Sequence, residues 1–120
     1  MVRVIAGEFK SRKLRTLDGQ ATRPTSDRLK ETLFNLVQSR MADSAFLDCF
    51  AGSGSVGIEA LSRGASFVAF VEASPAAVQV IRQNLALLGE AESARCQVRA
   101  FATAPVVCGW HQFAAATPRF

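Results

Sequence analysis

Histidine and cysteine are scarce in this chain of 120 residues: one histidine, His111, and three cysteines, Cys49, Cys96 and Cys108. A single imidazole offers nothing to a His-based zinc site and little to a Ser/Cys-His-Asp triad, so no metal is expected. The odd, widely spaced cysteines form neither a disulfide framework nor a zinc knuckle. They fit a reducing compartment, which points to the cytoplasm. No run approaches the ~18–20 consecutive apolar residues of a spanning helix, so no membrane role is expected. The opening Met1-Val2-Arg3-Val4 has no apolar signal core. Prolines are never adjacent, and residues 100–120 hold no acid and one charge, Arg119. What remains, 49% hydrophobic and 20% charged, is the composition of one small globular domain.

The net charge of +4 is concentrated at one end. Residues 1–40 carry nine basic groups against four acidic ones; the other eighty carry five against six. A focused cationic segment attracts a polyanion, most simply nucleic acid, although a well-solvated basic face would look the same in sequence.

Val2 to Leu17 is expected to form two short strands around a turn, with Gly7 at the bend and Lys10, Arg12 and Lys13 where the hairpin turns and returns. Thr25 or Ser26 can cap a helix that runs to about Arg40, with Asp27 in its first turn. Leu29, Leu33, Leu36 and Val37 fall on one stripe of it, the face expected to meet the core. Ala45–Cys49 is a short apolar strand, 53–64 a helix ending at Gly64, and Ser66–Val71 a strand without alternation. Such a run suits burial on both faces of a parallel sheet. Ser74 caps and Pro75 opens the next helix, which Gly89 ends; Cys96-Gln97-Val98 can start a third strand. Strand, helix, strand, helix is the α/β pattern with right-handed crossovers.

The chemistry centres on Asp48-Cys49-Phe50-Ala51-Gly52-Ser53-Gly54-Ser55-Val56-Gly57, a Gly-x-Gly-x-x-Gly between a strand and a helix. Glu72 ends the following strand, twenty residues after Gly52. In that context the glycines let a nucleoside approach the backbone, and the acid can accept both hydroxyls of a ribose. Asp48, at the first strand's end, would repel a pyrophosphate but suit an ammonium group. S-adenosyl-L-methionine has that ammonium, a ribose diol and no phosphate, so the pair favours it over NAD. A helix-capping role for Asp48 is the competing reading. Cys49 reads as a packed thiol.

These residues resemble the cofactor motifs of class I S-adenosylmethionine-dependent methyltransferases. Arg3-Val4-Ile5-Ala6-Gly7, Lys10-Ser11-Arg12-Lys13-Leu14, Arg23-Pro24-Thr25-Ser26-Asp27-Arg28 and Leu33-Phe34-Asn35 narrow the resemblance to the bacterial RsmD family, over about residues 2–95. It implies methylation of guanine N2 in small-subunit (16S) ribosomal RNA, with the small ribosomal subunit as partner. It also implies the N-terminal part of a Rossmann-like parallel sheet, preceded by a hairpin and helix, with the sheet incomplete. Asp48, Phe50, Gly52, Ser53, Gly54 and Gly57 would form the cofactor loop, and Glu72 would hold the ribose. Lys10, Arg12, Lys13 and Arg15 would lie on RNA phosphates, with Arg23 near the substrate side.

The family's acid after its third strand is missing from Val98-Arg99-Ala100-Phe101-Ala102, and its (Asp/Asn)-Pro-Pro-(Tyr/Phe) motif occurs nowhere. No catalytic residue can therefore be assigned. The expected organisation is a basic hairpin and helix over 1–41, a partial cofactor-binding core over 42–98 and an atypical tail over 99–120, as a truncated or frameshifted gene would give. In so short a sheet, Phe67–Val71 is expected to lie at an open edge. The alternatives are a non-catalytic remnant that binds RNA or cofactor only, and a NAD-type Rossmann protein.

Overall fold

A computed structural model describes residues 2–17, 27–91 and 93–100. Arg23 and the expected tail from residue 101 lie outside the described residues, as do both expected cap residues of the first helix.

The N-terminal hairpin is short. Strand β1 (Val2–Arg3) pairs antiparallel with β2 (Lys13–Leu14), Val2 opposite Leu14. Between them the turn closes on itself through Val4 N to Arg12 O (2.9 Å) and Ser11 N to Val4 O (2.8 Å). Alternation puts Val2, Val4 and Leu14 inward, and all three are buried.

Helix α1 (Asp27–Val37) corrects the expected apolar stripe. Leu29, Leu33 and Leu36 are exposed at 59%, 39% and 79%, while Lys30 and Phe34 are fully buried; of the expected stripe, Val37 does pack against the core. The helix is turned roughly 100° from the position its leucines suggest, one residue step. The larger ring decides this: Phe34 stacks on Phe46 with centroids 5.9 Å apart, under the Arg63 guanidinium at 5.1 Å. Lys30 goes in with it because its ammonium finds partners there.

Three strands form a parallel sheet in the order β3 (Ala45–Cys49), β4 (Phe67–Glu72), β5 (Cys96–Ala100). The register sets Ala45 opposite Phe67 and Val68 opposite Cys96. Strand β4 is therefore central, not the edge expected for Phe67–Val71; among the described residues the edges are β3 and β5. Val68 and Phe70 point to a face covered by α2 (Ser55–Ser62) and α3 (Pro75–Leu87), through Ile58, Leu61, Ile81 and Leu85. Ala69 and Val71 point the other way and are also buried, which is why β4 reads as apolar without alternation. Full burial of each such aliphatic or aromatic side chain stabilises by roughly 1.5–3 kcal/mol. Hairpin, α1 and sheet share one core, since Val2, Val4, Phe9, Leu14 and Phe34 cluster with Ile58 and Phe70.

Ser74 caps α3 as expected: its Oγ accepts from Ala77 N at 3.3 Å, and Pro75 takes the first turn. Helix α2 begins at Ser55, two residues later than the motif suggests, because Gly52 (φ 59°) and Gly54 (φ 85°) are left-handed and keep the chain out of the helix.

Candidate functional site

The carboxyl ends of β3 and β4 lie side by side, so the loops that leave them meet. The loop after β3 turns immediately: Phe50 is left-handed at φ 57° and 82% exposed, beside the glycines. Ala51 N bonds back to Val71 O at 2.9 Å, holding the loop over the end of β4. A side chain on Gly52 would meet nothing within 4 Å, so open space lies in front of the loop.

Two carboxylates organise that loop. Glu72, the last residue of β4, accepts from Gly52 N on one oxygen and Ser74 N on the other, both at 2.8 Å. Asp48 Oδ2 accepts from Gly57 N at 2.9 Å, inside the first turn of α2. The residue before that helix, Gly54, has no side chain to cap it, so a carboxylate nine residues upstream satisfies one of its orphan N–H groups. The capping reading of Asp48 is thus part of the answer. A carboxylate has about four lone-pair positions, so Asp48 and Glu72 both keep acceptor capacity for a ligand.

Asp48 is only 8% exposed. Burial pushes its carboxyl up to about 7; the Gly57 N–H works against that, and the nearby Glu72 charge adds to it. Desolvation outweighs the favourable helix end. An arriving cation would reverse the balance by giving the buried charge a partner. Cys49 sits half-buried in β3, its thiol pushed up by burial and then by Asp48, which fits a packed thiol rather than a nucleophile.

The helices behind the loop hold it to the hairpin, through residues whose role the sequence does not announce. Asn84, fully buried on α3, accepts from Arg15 N (2.7 Å) and donates to Arg15 O (3.1 Å) and Ser53 O (3.0 Å). One amide thus fixes the glycine loop and the hairpin exit to the same point. On α2, Glu59 accepts from Ile5 N (2.9 Å) and Ala6 N (3.1 Å), and Ser62 Oγ accepts from Phe9 N (2.9 Å) while donating to Ala6 O (2.6 Å). The available signal was a polar residue wedged between apolar ones: Asn84 beside Leu85, Glu59 and Ser62 flanking Ala60-Leu61.

Of the sequence-derived candidates, Asp48, Gly52, Ser53, Gly54, Gly57 and Glu72 come together with Phe50 at the rim. Lys10, Arg12, Lys13 and Arg15 are all exposed on the hairpin. Arg12 reaches across to Leu87 O (2.6 Å), so the basic strand lies along α3. Among the described residues no group of three His, Cys, Asp or Glu could hold a metal, and no helix is long and apolar enough to cross a membrane.

A family described as conserved hypothetical protein 95 matches residues 2–108. The chain is 46% identical over 87 residues to the ribosomal RNA small subunit methyltransferase D of Escherichia coli K12, covering 72% of this chain and 44% of that one. It is 48% identical to the protein of the same description from Haemophilus influenzae, covering 72% and 45%. The chain therefore spans about half the length of these curated relatives. A solved structure of a hypothetical protein from Thermus thermophilus superposes with a TM-score of 0.77 at 32% identity, covering 97% of this chain and 63% of that one.

Proposed function

Since this chain belongs to the family described as conserved hypothetical protein 95, which includes the ribosomal RNA small subunit methyltransferases D, we propose that it is the cofactor-binding part of an S-adenosyl-L-methionine-dependent methyltransferase. Its proposed substrate is small-subunit ribosomal RNA, at N2 of a guanine. The observation that carries this reading is the pair of carboxylates, Asp48 and Glu72, on adjacent parallel strand ends around an open glycine loop. That arrangement suits a cationic, phosphate-free nucleoside. When bound, the cofactor supplies an electrophilic methyl group on sulfur.

The chain's own residues bind and orient. Glu72 turns toward the ribose diol from a carboxylate already fixed by two backbone N–H groups. Asp48 pairs with the amino-acid ammonium from the end of β3, where Gly57 N of α2 holds its other side. Phe50 offers an exposed ring at the rim of the loop. The exposed hairpin cations, Lys10, Arg12, Lys13 and Arg15, draw the RNA backbone toward that mouth. Fixed geometry of this kind supplies the orientation part of catalysis. Activation of the guanine amino group needs acceptors that neither Asp48 nor Glu72 provides, and no Pro-Pro pair occurs in the sequence. The roles proposed for residues of this sequence are therefore those of binding and orientation, and no catalytic residue is assigned among them.

The buried Asp48 gives the test. Its carboxyl titrates at about 7 in the free protein, so below that pH the group is neutral and cannot pair with an ammonium. Binding of S-adenosylmethionine is expected to weaken about fourfold from pH 8 to pH 6, since the ligand's own amino group is partly neutral at pH 8, and to release a proton near pH 7. Asp48→Asn keeps the acceptor for Gly57 N, and its affinity should be weak and flat over the same range. Calorimetric titration at several pH values decides this; a wild-type affinity independent of pH would remove Asp48 from the site.

A further inference from the structure

Strand β2 and the residues after it run alongside α3, and a cleft of about 950 Å³ opens between them. One wall carries Lys13 and Arg15, the α3 wall carries Gln79 and Gln83, and Leu17 and Val80 contribute apolar surface between them. No described residue lining it is acidic. Arg15 Nη1 stands 3.5 Å from Gln83 Oε1, so the two walls approach each other there. Ala76, in the first turn of α3 and four residues past Glu72, lines one end, and Leu87 the other. Eleven residues of helix separate them, about 16 Å. The Ala76 end of the cleft therefore lies on the side of α3 that follows Glu72, and the cleft runs from there for a few nucleotides' length.

We infer that this cleft seats a short single-stranded segment of RNA leading to the cofactor loop. Lys13 and Arg15 face its phosphates, Gln79 and Gln83 offer both a donor and an acceptor to base edges, and Leu17 and Val80 underlie an unstacked base. This deepens the reading of RNA as substrate and rests on it. Two cations and no acid on the described lining suit an anionic backbone. Apolar surface between the walls suits an exposed base face, which a single strand presents and a duplex hides. Amides on the wall opposite the cations fit base edges better than a second row of phosphates.

The test is fluorescence anisotropy of the full chain with a short labelled single-stranded RNA and the matching duplex, with S-adenosylmethionine affinity measured in parallel. The double variant Gln79→Glu/Gln83→Glu puts two carboxylates on the α3 wall, one of them against Arg15, and changes no hairpin residue. It should weaken single-strand binding at low salt at least tenfold and leave cofactor affinity unchanged. Lys13→Ala/Arg15→Ala should flatten the dependence of log affinity on log salt by about 1.4, some 0.7 per phosphate contact. Gln83→Arg should tighten binding, which keeps the test informative if the acidic variant folds poorly. If the acidic variant binds as the wild type does while Lys10→Ala weakens binding, RNA meets the hairpin but not the cleft, and the inference is overturned. Preference for the duplex overturns it too. Wild type that binds cofactor but no RNA at low salt removes the premise along with the inference.

Discussion

Glu59→Ala is expected to cost about 3–5 kcal/mol, a large fraction of the stability of a chain of this size. Glu59 is fully buried with Lys30, and each oxygen is committed: Oε1 to Ile5 N and, at 3.7 Å, Lys30 Nζ; Oε2 to Ala6 N and, at 2.8 Å, Arg63 Nε. Burial lowers the Lys30 pKa, and the Glu59 charge is the largest influence opposing it. Removing the carboxylate leaves a buried ammonium held only by Arg3 O at 2.7 Å, and two N–H groups without their acceptor. The cost is mainly that of orphaned groups, so the cluster should be non-additive. Adding Lys30→Met to Glu59→Gln should recover part of the loss, because the stranded charge goes. Urea unfolding followed by circular dichroism measures all three variants. A Glu59→Ala protein within about 0.5 kcal/mol of wild type would show that the cluster does not hold the hairpin down.

Gly57→Ala is expected to lower stability by about 2–3 kcal/mol and to weaken cofactor binding with it. In an exposed helix this change would stabilise by up to about 1 kcal/mol. Here a β-carbon would run into the Phe70 ring, which is fully buried beneath the helix and has no room to retreat. Helix α2 must lift, and lifting it pulls Gly57 N away from Asp48. Stability and binding should fall together, and Phe70→Leu added to Gly57→Ala should restore some of both. Thermal melts with and without S-adenosylmethionine give the two readings. A more stable Gly57→Ala variant with unchanged ligand protection would contradict the close approach of α2 to β4.

What could be read from the sequence was whatever depends on local rules. The Ser74-Pro75 cap, the apolar β4 and the glycine turn each act within a few residues, and each lies where the pattern puts it. The face of α1 was not legible, because leucine spacing argues for burial and lysine against it. The partner that reverses both, Glu59, is twenty-nine residues from Lys30 in the chain. Asn84 is hidden for the same reason: a buried amide is explained only by Arg15 and Ser53, which the fold brings to it. Within the candidate site, the residues could be named in advance, but the titration of Asp48 could not. It depends on burial under α2, which only the packed structure supplies.

The central claim is that the Asp48–Glu72 loop takes a cationic nucleoside without phosphate. Parallel calorimetric titrations of the chain with S-adenosylmethionine and with NAD at pH 8 test it most directly, with Glu72→Ala as the control. The account predicts saturable binding of S-adenosylmethionine, none of NAD, and loss of the first in Glu72→Ala. Binding of NAD without binding of S-adenosylmethionine would contradict it.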